Sequence, residues 1–367
     1  FAIVSYALKV WELEITADFV SFSEVNYSMT LGTFMLVGSL IAGFIYSRLE
    51  GPRSHGPADL MVCIKKDELP DIKAGFITSF LTMVSVSSGS SVGMFGPIIH
   101  YGGCIAASLE RFFKVLTRGV VLAAGGAAGI AALFSAPIAA SIFAHEMLLR
   151  RFRSTESLPV IMAALGGYFS AVMLLGDNRR FLSVIGDPPP LEPFSLGMAI
   201  LVGIFSGLLS SLYVYLVGAG PGWVKKTNIP PLFRPLIAAT ILFAISPFFP
   251  QLIGPGMPAV NMALAGEFTL YLLIALAFLK VFATAFCRSF GFHGGILLPA
   301  CFFGAMLGSA FDLIVGNGGH LYAILGAAAC TGSAIGAPIA AVVILFEMSG
   351  DYRFIILALV SVSLSDR

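Results

Sequence analysis

The chain has 367 residues, with 21 Lys/Arg against 20 Asp/Glu, a formal net charge of +1 and a mean hydropathy of +0.93. Charged residues make up 11% and hydrophobic residues 57%, against roughly 25% charged in a soluble globular domain. Too little charge is present to coat a soluble surface, which excludes a soluble enzyme, a nucleic-acid binder and a disordered chain. The sequence reads as an all-α polytopic membrane protein with roughly ten to fourteen helical segments, and its balanced charge gives no reason to expect an acidic partner.

The chain opens at Phe1 inside an apolar run, with no signal peptide visible. The first long charge-free stretch, 25–47, leads to a basic cluster over 48–73 that contains Arg53-Ser54-His55-Gly56-Pro57. There Pro57 fits the first turn of a helix, and the Ser54 hydroxyl is either a donor to an anion or an ordinary N-cap. The next charge-free stretch, 74–109, is too long for one simple span and is broken by a Ser/Gly-rich segment over 87–97. Broken backbone at membrane depth is tolerated only inside protein or along a cavity. An apolar run over 119–145 ends at His145-Glu146, just before Arg150, Arg151 and Arg153. Residues 177–192, with Asp177, Asp187, Glu192 and three consecutive prolines, read as a linker. Further apolar stretches follow at 193–224, 235–266, 289–311 and 313–346, with basic residues at Lys225, Lys226 and Arg234 and a second break over Gly294–Pro299. By the positive-inside rule the loops at 48–73, 150–153 and 225–234 are cytoplasmic, which expects an integral, multi-pass protein of the plasma or inner membrane. The five cysteines show no paired spacing and read as packing residues.

The two breaks expose an internal repeat. Gly93-x-x-x-Pro97 recurs as Gly295-x-x-x-Pro299, 202 residues later; Ala136-Pro137-Ile138-Ala139-Ala140 recurs as Ala337-Pro338-Ile339-Ala340-Ala341 and Glu146-Met147 as Glu347-Met348, at an offset of 201. Laying 127–147 on 328–348 without gaps gives nine identities in 21 positions. A half-chain repeat of interrupted helices is a transporter signature. The expected organisation is one membrane domain made of a first repeat over 1–176, a loop over 177–192 and a second repeat over 193–367.

Each break reads as a loop entering a helix, with proline in the first turn. A helix N-terminus offers unpaired N–H groups and about half a positive charge. Two such ends meeting in a low-dielectric interior make an anion site without a full charge. Glu146, at the membrane edge, is either a proton-transfer group or the partner of Arg150 or Arg151 in a salt bridge. His145-Glu146 lacks the second histidine of a zinc protease, so no enzyme activity, metal or cofactor is expected.

Taken in order, these motifs resemble the CLC family of chloride channels and chloride/proton antiporters, from Ser54 to Met348. That family's pore motifs read Gly-Ser-Gly-Ile-Pro, Gly-Lys/Arg-Glu-Gly-Pro and Gly-x-Phe-x-Pro; here Arg53–Pro57, Gly93–Pro97 and Gly295–Pro299 stand in their places. The resemblance implies two inverted repeats whose broken helices meet at a midplane anion site, in a homodimer with one pore per subunit. It implies Ser54 as a hydroxyl donor to a central chloride or other monovalent anion. The backbone N–H groups of Ile296 and Leu297 would bind the same ion, and those around Phe95 and Gly96 an outer one. Glu146 would match the inner proton-transfer glutamate. Serine at the Ser54 position is similar to members preferring chloride, where the fluoride-exporting branch usually carries methionine. Three departures stand out: Phe95 occupies the place of the gating glutamate, Arg53 and His55 replace the glycines flanking the serine, and the sequence reaches Arg367 without the family's final tyrosine-bearing helix. The first departure makes Phe95 the gate position and favours uncoupled, channel-like conduction. The alternatives are an antiporter with a relocated outer proton site, a transporter of a larger anion on the same scaffold, and a non-transporting membrane scaffold plugged by Phe95.

Overall fold

The computed structural model describes residues 25–49, 56–110, 116–176, 193–316, 320–349 and 355–365. These form fifteen α-helices. The first seven are α1 (Val25–Arg48), α2 (Pro57–Lys66), α3 (Ile72–Ser87), α4 (Phe95–Leu109), α5 (Arg118–Phe134), α6 (Pro137–Phe143) and α7 (Ser154–Leu175). They are followed by α8 (Pro193–Lys225), α9 (Arg234–Ile245), α10 (Met257–Leu264), α11 (Leu270–Ser289), α12 (Leu297–Val315), α13 (Leu321–Ile335), α14 (Pro338–Ser349) and α15 (Ile355–Ser365). A π-helical turn, Ala144–Leu149, continues α6. Fifteen exceeds the expected number because short pieces such as α6 and α10 are helices in their own right. Among the described residues five helices are long and apolar enough to cross a bilayer alone.

Both predicted breaks are present, and they are built alike. Helix α3 stops at Ser87, Gly89 turns the chain at φ 80°, and α4 starts at Phe95; α11 stops at Ser289, Gly291 turns it at φ 94°, and α12 starts at Leu297. A positive φ is open to glycine because it lacks the Cβ that clashes there. The N-caps have nearly the same dihedrals, φ −100° and ψ −13° at Met94, φ −102° and ψ −12° at Ile296. Pro97 and Pro299 each fall third in their helix, where an N–H would have no intrahelical partner.

Packing repeats with the sequence. Helices α4 and α5 approach so closely that a Cβ on Gly102 would run into the carbonyl oxygen of Gly125. At the same relative place in the second half, a Cβ on Gly304 of α12 would strike the Gly326 oxygen of α13. Small residues let backbones touch, which is how membrane helices gain dispersion contact without a hydrophobic driving force. The buried core runs through α5, α12 and α13, while α1, α7 and α8 turn large apolar side chains such as Phe34, Met173 and Leu208 outward. A helix apolar on all sides belongs in lipid.

Candidate anion site at the crossing of the two breaks

The two breaks meet. Gly93 and Gly295 form an isolated antiparallel β-bridge, Gly93 N donating to Gly295 O at 2.9 Å and Gly295 N to Gly93 O at 2.5 Å. The equivalent segments therefore run in opposite directions where they cross, and α4 and α12 each begin two residues beyond the bridge. Glycine is required: a Cβ on Gly295 would lie 2.6 Å from the amide nitrogen of Gly96 and 2.9 Å from that of Phe95. A third helix end joins them. Pro57, first residue of α2, packs on Gly96, where a Cβ would meet its Cδ at 3.3 Å.

Of the residues expected at the site, Phe95, Gly96, Ile296 and Leu297 thus come together at this crossing. Ser54, Arg53 and His55 lie outside the described residues, although Gly56 and Pro57 deliver the end of their motif to the same place. Among the described residues the amides of Phe95, Gly96, Ile296 and Leu297 have no protein acceptor. None of the N-cap residues Gly56, Met94 and Ile296 supplies a capping side chain. Although α5, α7, α9, α10 and α11 also start without a capping side chain, certain other helix ends are closed by carboxylates. Asp71 caps α3 through Ala74 N at 3.0 Å, and Asp312 caps α13 through Tyr322 N at 3.1 Å and Ala323 N at 2.9 Å.

The Phe95 side chain is 2% exposed. Its ring packs on Phe134 at 5.5 Å and edge-on to Phe143 at 5.3 Å between centroids. An aromatic cluster formed by the last residues of α5 and α6 therefore holds the ring beside the first turn of α4.

Glu146 lies elsewhere and is fully engaged. Its Oε1 accepts from Ile339 N at 3.0 Å and its Oε2 from Ala340 N at 2.7 Å, closing the N-terminus of α14. Glu347 does the same for α6, accepting from Ile138 N at 3.1 Å and Ala139 N at 2.6 Å. The salt bridge weighed for Glu146 is not the one formed: Arg151 pairs with Glu156 at 2.8 Å.

Several polar groups packed around the breaks carry no local sequence motif. Arg288 NH1 donates to the Gly294 carbonyl, and Tyr213 OH on α8 donates to Ile296 O at 3.2 Å. Lys280, 0% exposed, donates to Leu252 O at 3.2 Å and Gly254 O at 2.7 Å and lies 4.7 Å over the Phe302 ring. The sequence signal for both cations is their position inside the apolar helix α11, where an ionisable residue marks a functional or paired site.

Broken helices, paired by an internal repeat and crossing inside an apolar bundle, define a polytopic membrane protein of the transporter kind. The chain belongs to the voltage-gated chloride channel family, CLC, whose pattern it matches over residues 38–366. It is 25% identical to the voltage-gated ClC-type chloride channel ClcB of Escherichia coli over 330 residues, covering 87% of this chain and 79% of that one. It is 28% identical to the H(+)/Cl(-) exchange transporter ClcA of Vibrio cholerae over 290 residues, covering 75% and 62%. A slow cyanobacterial Cl-/H+ antiporter of known crystal structure shares the fold at TM-score 0.78 and 21% identity, with 100% of this chain and 92% of that one covered.

Proposed function

We propose that the protein is a chloride-selective anion pathway that conducts passively, without obligatory proton exchange. The observation that carries this reading is the set of four amides, of Phe95, Gly96, Ile296 and Leu297, that flank one crossing and have no protein acceptor among the described residues. Carboxylates close four helix ends elsewhere in the fold, through Asp71, Glu146, Asp312 and Glu347; no side chain caps α4 or α12, and we assign their ends at the crossing to an anion. Partial positive charge from helix ends binds an anion firmly enough to strip its water, yet releases it. Ser54 is assigned as the hydroxyl donor that completes the central site.

Uncoupled conduction is supported by two residues. Phe95 is a phenyl ring packed on Phe134 and Phe143, and a phenyl ring carries no proton. Glu146 has both carboxylate oxygens bound to the α14 end, which suits a structural cap. We assign the two halves as repeats over 1–176 and 193–367, inverted across the bilayer, an assignment favoured by the antiparallel bridge at Gly93 and Gly295. The basic loops are assigned to the cytoplasmic side, and the protein is assigned as a homodimer in which each copy holds its own pathway.

Chloride efflux from liposomes, recorded together with external pH, tests the reading. Efflux that requires a potassium ionophore and moves no protons is the expected result. Proton uptake in fixed ratio to chloride would overturn the uncoupled mechanism, and absence of any chloride efflux would overturn the anion pathway.

A further inference from the structure

Helices α8 and α9 each pack on α11 but hardly touch one another. The gap between them is a groove of about 490 Å³ with α11 as its floor. Its lining is apolar and includes Trp223 on α8, Ile241 and Ile245 on α9, and Ala283 and Phe286 on α11. The hydroxyls of Thr227 and Ser289, which also belong to the lining, are already spent: Thr227 donates to Val224 O and Ser289 to Ala285 O, each at 2.6 Å. Such a wall offers nothing to a polar solute. Along the floor the groove runs from Leu279 to Phe290, about 16 Å of helix at 1.5 Å per residue. That length suits most of an extended fatty-acyl chain.

One end of the groove has the opposite chemistry. Its α8 wall finishes at Trp223 and Val224, Lys225 and Lys226 follow, and Thr227 closes the lining. Both lysines are exposed, and among the described residues neither forms an ion pair. No Asp or Glu occurs anywhere over 193–266, so nothing in this stretch offsets Lys225, Lys226 and Arg234. Trp223, half exposed and edge-on to Tyr215 at 6.1 Å between centroids, is the kind of ring that sits at headgroup level. A cationic rim on an apolar trough complements a molecule with an anionic head and an apolar tail. We propose that the groove is a binding site for an anionic phospholipid, one acyl chain lying along α11 between α8 and α9 and the headgroup phosphate pairing with Lys225 and Lys226. The site needs only the membrane-embedded fold and is independent of the anion-pathway reading above. With the 225–234 loop on the cytoplasmic side, the lipid comes from the leaflet whose surface is negative.

The test counts the lipids retained by the full chain, purified in detergent and titrated with phosphatidylglycerol or with phosphatidylcholine of the same acyl chains, by native mass spectrometry. The parent is expected to retain one phosphatidylglycerol per chain at a concentration about tenfold or more below that needed for phosphatidylcholine. Lys225→Gln combined with Lys226→Gln is expected to abolish this preference and to leave weak binding of both lipids alike. Ala283→Phe, which fills the trough and leaves the charge in place, is expected to weaken retention of phosphatidylglycerol about tenfold. Ala283→Leu replaces it should the bulkier variant not fold, judged by gel-filtration profile. Equal retention of the two lipids by the parent would overturn the site. An undiminished preference in the lysine double variant would do the same, leaving the lysines a role in membrane orientation only. Unchanged retention in a folded Ala283 variant would remove the groove as the seat of the chain.

Discussion

The Phe95 ring fills the space between the Phe134 and Phe143 rings at the start of α4. Truncating a buried aromatic side chain to alanine removes its contacts and leaves a void, at a cost of about 3–5 kcal/mol. Phe95→Ala is expected to lower the melting temperature by well over 5 °C and to increase chloride flux per folded molecule, because the void adjoins the amides of the crossing; thermal unfolding and liposome efflux measure the two effects separately. A silent flux would show that the ring is a packing element only. The local motif made Phe95, Gly96, Ile296 and Leu297 legible in the sequence, since a Gly-x-x-x-Pro break states by itself where a helix begins. Arg288 and Tyr213 were not legible in this way. Their partners, Gly294 and Ile296, are fixed by how α8 and α11 pack, and Tyr213 lies 83 residues from the carbonyl it holds.

At the level of helices, α6 with its π-turn and α14 form a pair that cap each other. Glu146 and Glu347 are equivalent residues of the repeat, and each accepts two hydrogen bonds from the opening amides of the other's helix. Losing a charged cap costs about 1–2 kcal/mol. Glu146→Gln and Glu347→Gln are each expected to lower thermal stability by such an amount. The double variant is expected to depart from additivity, because both changes loosen the same helix pair. An unchanged melting temperature in Glu146→Gln would return Glu146 to a proton-carrying role. The offset of 201 made this pair of glutamates visible in the sequence, but not their function, which joins residues 193 and 194 positions apart. Glycine contacts give a second check. Gly102→Ala and Gly304→Ala push a Cβ into a neighbouring backbone oxygen and are expected to destabilise by about 1–3 kcal/mol. Gly197→Ala on α8, with nothing within 4 Å of its Cβ, is expected to be neutral or stabilising by up to about 1 kcal/mol.

For the molecule as a whole, the capped pair bears on assembly. Because each helix closes the other's N-terminus, α6 and α14 lie antiparallel, and each is about 18–20 Å long at 1.5 Å per residue. That is shorter than the roughly 30 Å hydrocarbon core. If the pair is centred in the bilayer, as the inverted assignment of the repeats places it, both carboxylates fall within the apolar zone. Yet the bonds of Glu347 to Ile138 N and of Glu146 to Ile339 N lie at the surface of the protomer, flanked by Ile138 at 57% and Ile339 at 48% exposure. An ionic cap facing lipid is costly, and a second copy laid over the pair removes the cost. The two-fold relation between α6 and α14 within one chain suits a symmetric interface of this kind, in which the same patch meets itself. The purified protein is therefore expected to have the mass of two chains by light scattering after correction for detergent. Ile138→Trp combined with Ile339→Trp, which overfills that face, is expected to yield single chains that still pass chloride, since the crossing at Gly93 and Gly295 is complete within one protomer. A parent protein of one chain's mass would remove the need for cover and place both carboxylates at the water interface instead.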